Sequence, residues 1–149
     1  MNDKVFLAVN GTLMRGLELE NNLKEVGASF IKESQTEKAY RLYSINDCYP
    51  AMVKDDNGAS IDVEVYELSK EAMEIVLSKE PEGLTIEKIK LIDNQEVYGV
   101  VGLSFIIKNQ KEITSYGGWR NYIKELRKWK SYSSIIPTLV AVMSSLKKC

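Results

Sequence analysis

The period of apolar and polar positions changes several times along the chain. Val5–Val9 is a continuous apolar run closed by Asn10-Gly11, which predicts a strand buried on both faces followed by a tight loop. Leu17, Leu19, Leu23 and Val26 recur at loose helical spacing, and Gly27 supplies a stop. Lys38–Ser44 alternates and is rich in Tyr, so it reads as a strand; Ala51–Val53 reads as another. Asp55-Asp56-Asn57-Gly58 has the composition of a hairpin turn leading into the next strand, Ser60–Leu68. In that strand Ile61, Val63 and Val65 share one face while Asp62, Glu64 and Tyr66 share the other.

The second half is helical at both its ends. Ser69 stands where an N-cap is expected, ahead of a stripe made by Ala72, Met73, Val76 and Leu77, and Pro81 and Gly83 close the helix. Ile86–Ile92 and Val97–Ile107 read as two strands about an Asp93-Asn94 turn, with Gly99 and Gly102 marking a bulge or a curved strand. Thr114–Lys130 places Trp119, Tyr122, Ile123, Leu126 and Trp129 on one helical face and Lys and Arg on the other. Ile135, Ile136, Leu139, Val140, Met143 and Leu146 continue a helical stripe after Ser133. The fold class is α+β. One domain is expected over 1–130, a small mixed β-barrel flanked by helices, with an amphipathic helical tail over 131–149.

Length supports that division: 149 residues make one domain, large enough to build a core without staples. Lys and Arg number 20 against 21 Asp and Glu, which argues against nucleic acid as a partner, and the basic side of the 119–130 helix is an ordinary solvated face. No signal segment or membrane-length apolar run is visible, so a cytoplasmic protein with no membrane partner is expected. The two cysteines, Cys48 and Cys149, are too few for a disulfide scaffold or a thiolate zinc site. Cys48 reads as a semi-buried thiol and Cys149 as part of a fraying end.

The histidine count is zero. A Ser-His-Asp triad, a Cys-His pair and a histidine metal site therefore cannot exist, and proton transfer falls to carboxylates, Lys, Tyr or Cys. Four segments could carry chemistry. Asn10-Gly11-Thr12-Leu13-Met14-Arg15-Gly16 is either an ordinary tight turn or a nest of backbone N–H groups for an anion; it lacks the Lys-Ser/Thr end of a phosphate-binding P-loop. Glu80 is either a solvated charge at a helix end or an acid whose pKa is raised beside Ile75, Val76 and Leu84. Glu64 either faces inward as a functional carboxylate or outward into water. Arg120, behind Gly117-Gly118-Trp119, either clamps a carboxylate or is structural.

Residues 5–16 resemble the Tyr-Gly-Thr-Leu-x-x-Gly signature of the γ-glutamylcyclotransferase-like superfamily. So does the run Ile61–Leu68 followed by a helix and an acid, which in that family comes 14 residues after the strand's Tyr; Tyr66 plus 14 is Glu80. A second resemblance, to the C-terminal domain of allophanate hydrolase, runs from residue 5 to about 126 and is carried by Gly16–Asn21, Tyr40–Tyr43, Pro50–Val53, Gly58–Tyr66 and Ile113–Tyr122, with Gly117-Gly118-Trp119-Arg120 its most specific piece. Asn10 stands where the cyclotransferases have Tyr, and the histidine that the resemblance to allophanate hydrolase implies for catalysis is missing.

The resemblance implies a cofactor-free, metal-free site. In it Glu80 serves as general base and then acid, and Asn10, Gly11, Thr12 and Leu13 hold a substrate carboxylate, with Glu64 and Arg120 as further substrate-binding candidates. The implied substrate is a small γ-glutamyl amine or carbamoyl-type molecule, and the implied activity is that of a cyclotransferase or a related lyase or hydrolase. The alternative is a non-catalytic binding or assembly module, with the tail as a homodimer surface.

Overall fold

The computed structural model describes residues 3–132 and residue 149. In chain order the elements are β1 (Lys4–Val9), α1 (Glu20–Glu25), β2 (Ser29–Gln35), β3 (Tyr40–Ile45), β4 (Tyr49–Lys54), β5 (Asp62–Ser69), α2 (Lys70–Ser78), β6 (Leu84–Lys90), β7 (Glu96–Gly102), β8 (Lys111–Glu112) and α3 (Trp119–Tyr132). Short 3-10 turns fill Ser104–Ile107 and Thr114–Tyr116. The expected tail stripe and its dimer surface fall on residues 133–146, outside the described residues.

Two sheets carry the α+β fold. A five-stranded sheet has the order β2-β5-β1-β7-β6, and a three-stranded sheet the order β4-β3-β8. β1 sits at the centre of the first, antiparallel to β5 with Val9 opposite Glu64, and parallel to β7 with Ala8 opposite Gly99. Leu7, Ala8 and Val9 are all buried, as a strand covered on both faces requires. The expected barrel is met only in part. The large sheet curls until its edge strands meet at one corner, through the Thr36–Leu91 bridge and the bonds from Glu37 N–H to Lys90 O and from Ile92 N–H to Gln35 O. One bridge is not a ladder, so no closed barrel forms among the described residues.

Several elements follow local chemistry. Ser69 Oγ accepts from the Ala72 N–H at 3.0 Å and starts α2 as an N-cap. Asn94, at φ 70°, turns β6 into β7, and the two pair in continuous register from Leu84–Gly102 to Lys90–Glu96. That continuity excludes the bulge and leaves the curved strand of the two expected alternatives. Gly99 instead answers a close approach, because a Cβ there would lie 2.5 Å from Ile89 Cδ1. The 97–107 strand also ends early, at Gly102.

The expected Asp55–Gly58 hairpin is corrected. This turn, closed by Gly58 N–H to Asp55 O, carries the chain from one sheet to the other, since β4 pairs with β3 while β5 pairs with β1 and β2. The hairpin lies at Asn46-Asp47, where both residues have positive φ, 53° and 59°, the backbone that twists β3 into β4. The strand β2 was not expected. It is a mostly exposed edge strand, and an edge leaves little apolar alternation to read.

The core gathers Leu7, Leu42, Met52, Ile61, Leu68, Leu91 and Ile113 between the sheets, and Leu23 of α1 and Val76 of α2 pack on it. Trp119 and Tyr122 of α3 are buried, whereas Trp129 and Tyr132 are about half exposed where the helix outruns the body. Cys48 and Cys149 are joined as a disulfide, which replaces the expected separate thiols. No helix among the described residues is long and apolar enough to cross a membrane.

Candidate functional site

Two regions of the molecule gather the candidate residues. The first starts at the end of β1. The buried Asn10 donates through its side-chain nitrogen to Val100 O at 2.9 Å, which ties the loop mouth to β7 and fixes the orientation of the amide. Consecutive turns follow, with Met14 N–H donating to Gly11 O at 3.0 Å and Leu19 N–H to Thr12 O at 2.9 Å. Among the described residues the amides of Gly11, Thr12 and Leu13 are left without a protein acceptor. Gly11 is required by a close approach: a Cβ there would sit 2.5 Å from Pro50 Cδ.

Glu80 comes to the same place from the other side. α2 ends with Glu80 N–H bonded to Leu77 O at 3.0 Å, and the half-buried side chain joins Asn10–Leu13, Tyr49, Pro50 and Val100 in lining one cavity. The Glu80 carboxyl has no ion-pair or hydrogen-bond partner among the described residues, and burial pushes its pKa up to about 7. Burial also raises the Tyr49 phenol, and the charge of Glu80 adds to that rise.

The cavity measures about 20 Å³, room for a single water. A larger cleft of about 640 Å³ shares Thr12 and Tyr49 with it and continues past Pro81, Trp119, Ile123 and Leu126. Chemically, the small cavity offers backbone donors for a negatively charged oxygen and an acid able to exchange a proton near neutral pH.

Glu64 and Arg120 belong to the second region. Both line a separate cavity of about 580 Å³ with Met14, Asp62, Trp119 and Lys124. Glu64 is 3% exposed, and its Oε1 accepts from Arg15 N–H at 2.9 Å and Arg15 Nε at 3.4 Å. Its Oε2 accepts from an Arg120 guanidinium nitrogen at 2.9 Å, and that nitrogen also donates to Arg15 O at 2.6 Å. Burial pushes the Glu64 pKa up, but the Arg15 amide and the Arg120 guanidinium outweigh it and hold the carboxyl below its ordinary value.

A family model described as "Allophanate hydrolase C-terminal domain" matches residues 5–124. The chain belongs to the allophanate hydrolase C-terminal domain family. Urea amidolyase of Saccharomyces cerevisiae is 32% identical over 133 residues, covering 84% of this chain and 7% of the yeast protein. The chain thus spans a small part of that curated relative. A solved uropathogenic E. coli-specific protein superimposes with a TM-score of 0.79 at 45% identity, covering 81% of this chain and 96% of the other. An AIG2-like protein from Mus musculus matches at 16% identity with a TM-score of 0.53, covering 68% of this chain and 78% of that one, a likeness in fold alone. The domain therefore has a γ-glutamylcyclotransferase-like fold related to allophanate hydrolase.

Of the residues singled out in the sequence, the cavity brings together Glu80 and Asn10–Leu13, and leaves Glu64 and Arg120 with each other. Tyr49 and Pro50 were missed as lining residues. The Asp47-Cys48-Tyr49-Pro50 run held the signal, but nothing local said that β4 would pass under the loop. Arg15 was missed as the partner of Glu64; its neighbours in sequence give no hint of a residue 49 positions away. Among the described residues no three His, Cys, Asp or Glu side chains group as a metal site.

Proposed function

We propose that this domain is a cofactor-free enzyme for a small γ-glutamyl-amine or carbamoyl-type substrate. In this reading Glu80 is the general base and then the acid, and residues 10–13 hold a carboxylate or a developing oxyanion. The observation that carries it is the convergence of an unpartnered carboxyl with a pKa near 7 and the Gly11–Leu13 amides on one cavity. An acid poised at that pKa holds both protonation states at neutral pH, as a group that first takes and then returns a proton needs.

With a γ-glutamyl amine the substrate's α-amine attacks its own γ-carbonyl. The new C–N bond closes 5-oxoproline and the old one breaks to release the amine. Glu80 takes a proton from the attacking nitrogen and returns one to the leaving nitrogen. The loop amides stabilise charge on the carbonyl oxygen, and the folded pose supplies most of the remaining acceleration. The substrate would occupy the adjoining cleft past Thr12 and Tyr49, with a single oxygen entering the small cavity toward the loop amides. The name of the yeast relative, urea amidolyase, supports the carbamoyl half of the substrate class.

Assays of the wild type and Glu80→Gln on a panel of γ-glutamyl amines and carbamoyl compounds, reading 5-oxoproline or ammonia release, test this. The variant is expected to lose roughly 10²–10⁴ in kcat. Undiminished turnover in Glu80→Gln would remove Glu80 from the mechanism.

A second reading, a non-catalytic binding or assembly module, is favoured by the cavity volume, which admits a water but not a γ-glutamyl chain. A wild-type protein inert on the whole panel supports it. An unchanged solution mass after removal of residues 131–149 counts against the tail as its assembly surface.

A further inference from the structure

We propose that Glu64, together with Arg120, is a positioning device for the 10–16 loop rather than a pair that binds substrate. The ion pair grips both backbone groups of Arg15 and so sets the bend that presents the Gly11, Thr12 and Leu13 amides to the Glu80 cavity. The link to that cavity rests on the reading that it binds an anionic group; the grip on the loop stands on geometry alone.

The register places the parts. Glu64 lies opposite Val9 at the end of β1, on the strand beside the point where the loop leaves the sheet. Its carboxylate accepts the Arg15 N–H on Oε1, while the Arg120 nitrogen that occupies Oε2 also donates to the Arg15 carbonyl. One peptide segment is thus held on its donor and on its acceptor by two side chains from β5 and α3. The backbone that carries Arg120 is anchored just before α3, where Asp62 N–H donates to Gly117 O at 2.8 Å. The Arg15 guanidinium takes the remaining approach to Oε1, lies 3.7 Å from the centre of the Phe30 ring and reaches Glu33 at 2.6 Å.

Every oxygen of the Glu64 carboxylate is therefore engaged, and the group is buried. Such a group is poorly suited to recognising a ligand and well suited to fixing its neighbours. Beside this grip the loop is held by the Met14 bond to Gly11, by Gly16 N–H donating to Glu20 Oε1 at 3.1 Å, and by the Leu17 bond to Met14 and the Leu19 bond to Thr12. A rigid nest binds an anion better than one that must order first, because ordering opposes binding.

The test uses the full chain, with amide exchange by NMR and titration with formate as the probe anion. In Arg120→Gln the Met14, Arg15 and Leu19 amides are expected to exchange at least tenfold faster, while Leu7 and Val65 in the β1–β5 ladder keep their rates. The formate Kd read at the Gly11, Thr12 and Leu13 amides is expected to weaken at least fivefold. Arg120→Lys, which keeps a nitrogen with several donors, is expected to recover part of both losses. Unchanged exchange at Met14, Arg15 and Leu19 overturns the proposal, and so does a parallel rise at Leu7 and Val65, which marks general loosening. Wild-type protein that ignores formate counts against the anion-binding reading of the cavity; the exchange rates then decide the grip on their own.

Discussion

Glu64 and Glu80 are two carboxylates withdrawn from water in one small domain, and they end in opposite electrostatic states. Burial pushes both upward. Glu64 meets the Arg15 amide and two guanidinium groups, and they hold it ionised. Among the described residues Glu80 meets no such group, and it rises to about 7. The comparison teaches that withdrawal from water by itself says little about a carboxylate's task. The partner decides: a satisfied carboxylate fixes structure, and an unsatisfied one remains available to a proton or a ligand.

The contrast can be broken most forcefully at Glu64. Glu64→Ala leaves the Arg15 N–H without its acceptor and sets two guanidinium groups against each other, and is expected to cost about 3 kcal/mol in urea denaturation. A loss as small as that of a surface pair would mean that Glu64 is not a structural anchor.

Acid and neutral pH then separate the two groups. The depressed pKa of Glu64 contributes stability that is present above its ordinary value of 4.5 and is lost as pH falls through its lower folded value. Glu80 acts in the reverse sense. Its unfolded form ionises near 4.5 and its folded form near 7, so its contribution is full below 4.5 and is lost as pH rises to about 7. Glu80→Gln is therefore expected to flatten the decline of stability between pH 4.5 and 7 by about 2 kcal/mol, after discounting for its partial exposure. An unchanged slope in denaturant midpoints measured across that range would show Glu80 to be an ordinary solvated acid.

The smallest expected effect lies outside both carboxylate sites. Lys32 and Asp93 form an exposed ion pair at 3.3 Å. Lys32→Ala is expected to leave the denaturation midpoint unchanged by the same measurement, because water and side-chain entropy cancel most of an exposed pair.

Much of this was legible locally. The Ser69 cap, the Asn94 turn and the apolar run of β1 each depend on neighbours a few residues away, and each stands where it was expected. The 14-residue interval from Tyr66 to Glu80 was legible through the resemblance to the cyclotransferases rather than from local chemistry, and Glu80 lines the same cavity as the loop. What failed was non-local. Asp55–Gly58 has turn chemistry and makes a turn, yet which strands that turn joins depends on sheet partners far away in the chain. The exposed edge strand β2 gave no alternation, and the pairing of Cys48 with Cys149 spans 101 residues.

The α+β class and the absence of histidine chemistry follow from composition and from interactions that reach one helical turn or one strand. The loop and the acid that could share a site were marked by their resemblance to the cyclotransferase signature. The state of each carboxylate came from packing alone. Glu64 sits 49 residues from Arg15 and 56 from Arg120, and no local pattern says that three chain segments will bring two guanidinium groups to one buried acid and none to the other. Electrostatic free energy depends on distance and on water excluded in space, and those are set by which elements pack together rather than by spacing along the chain.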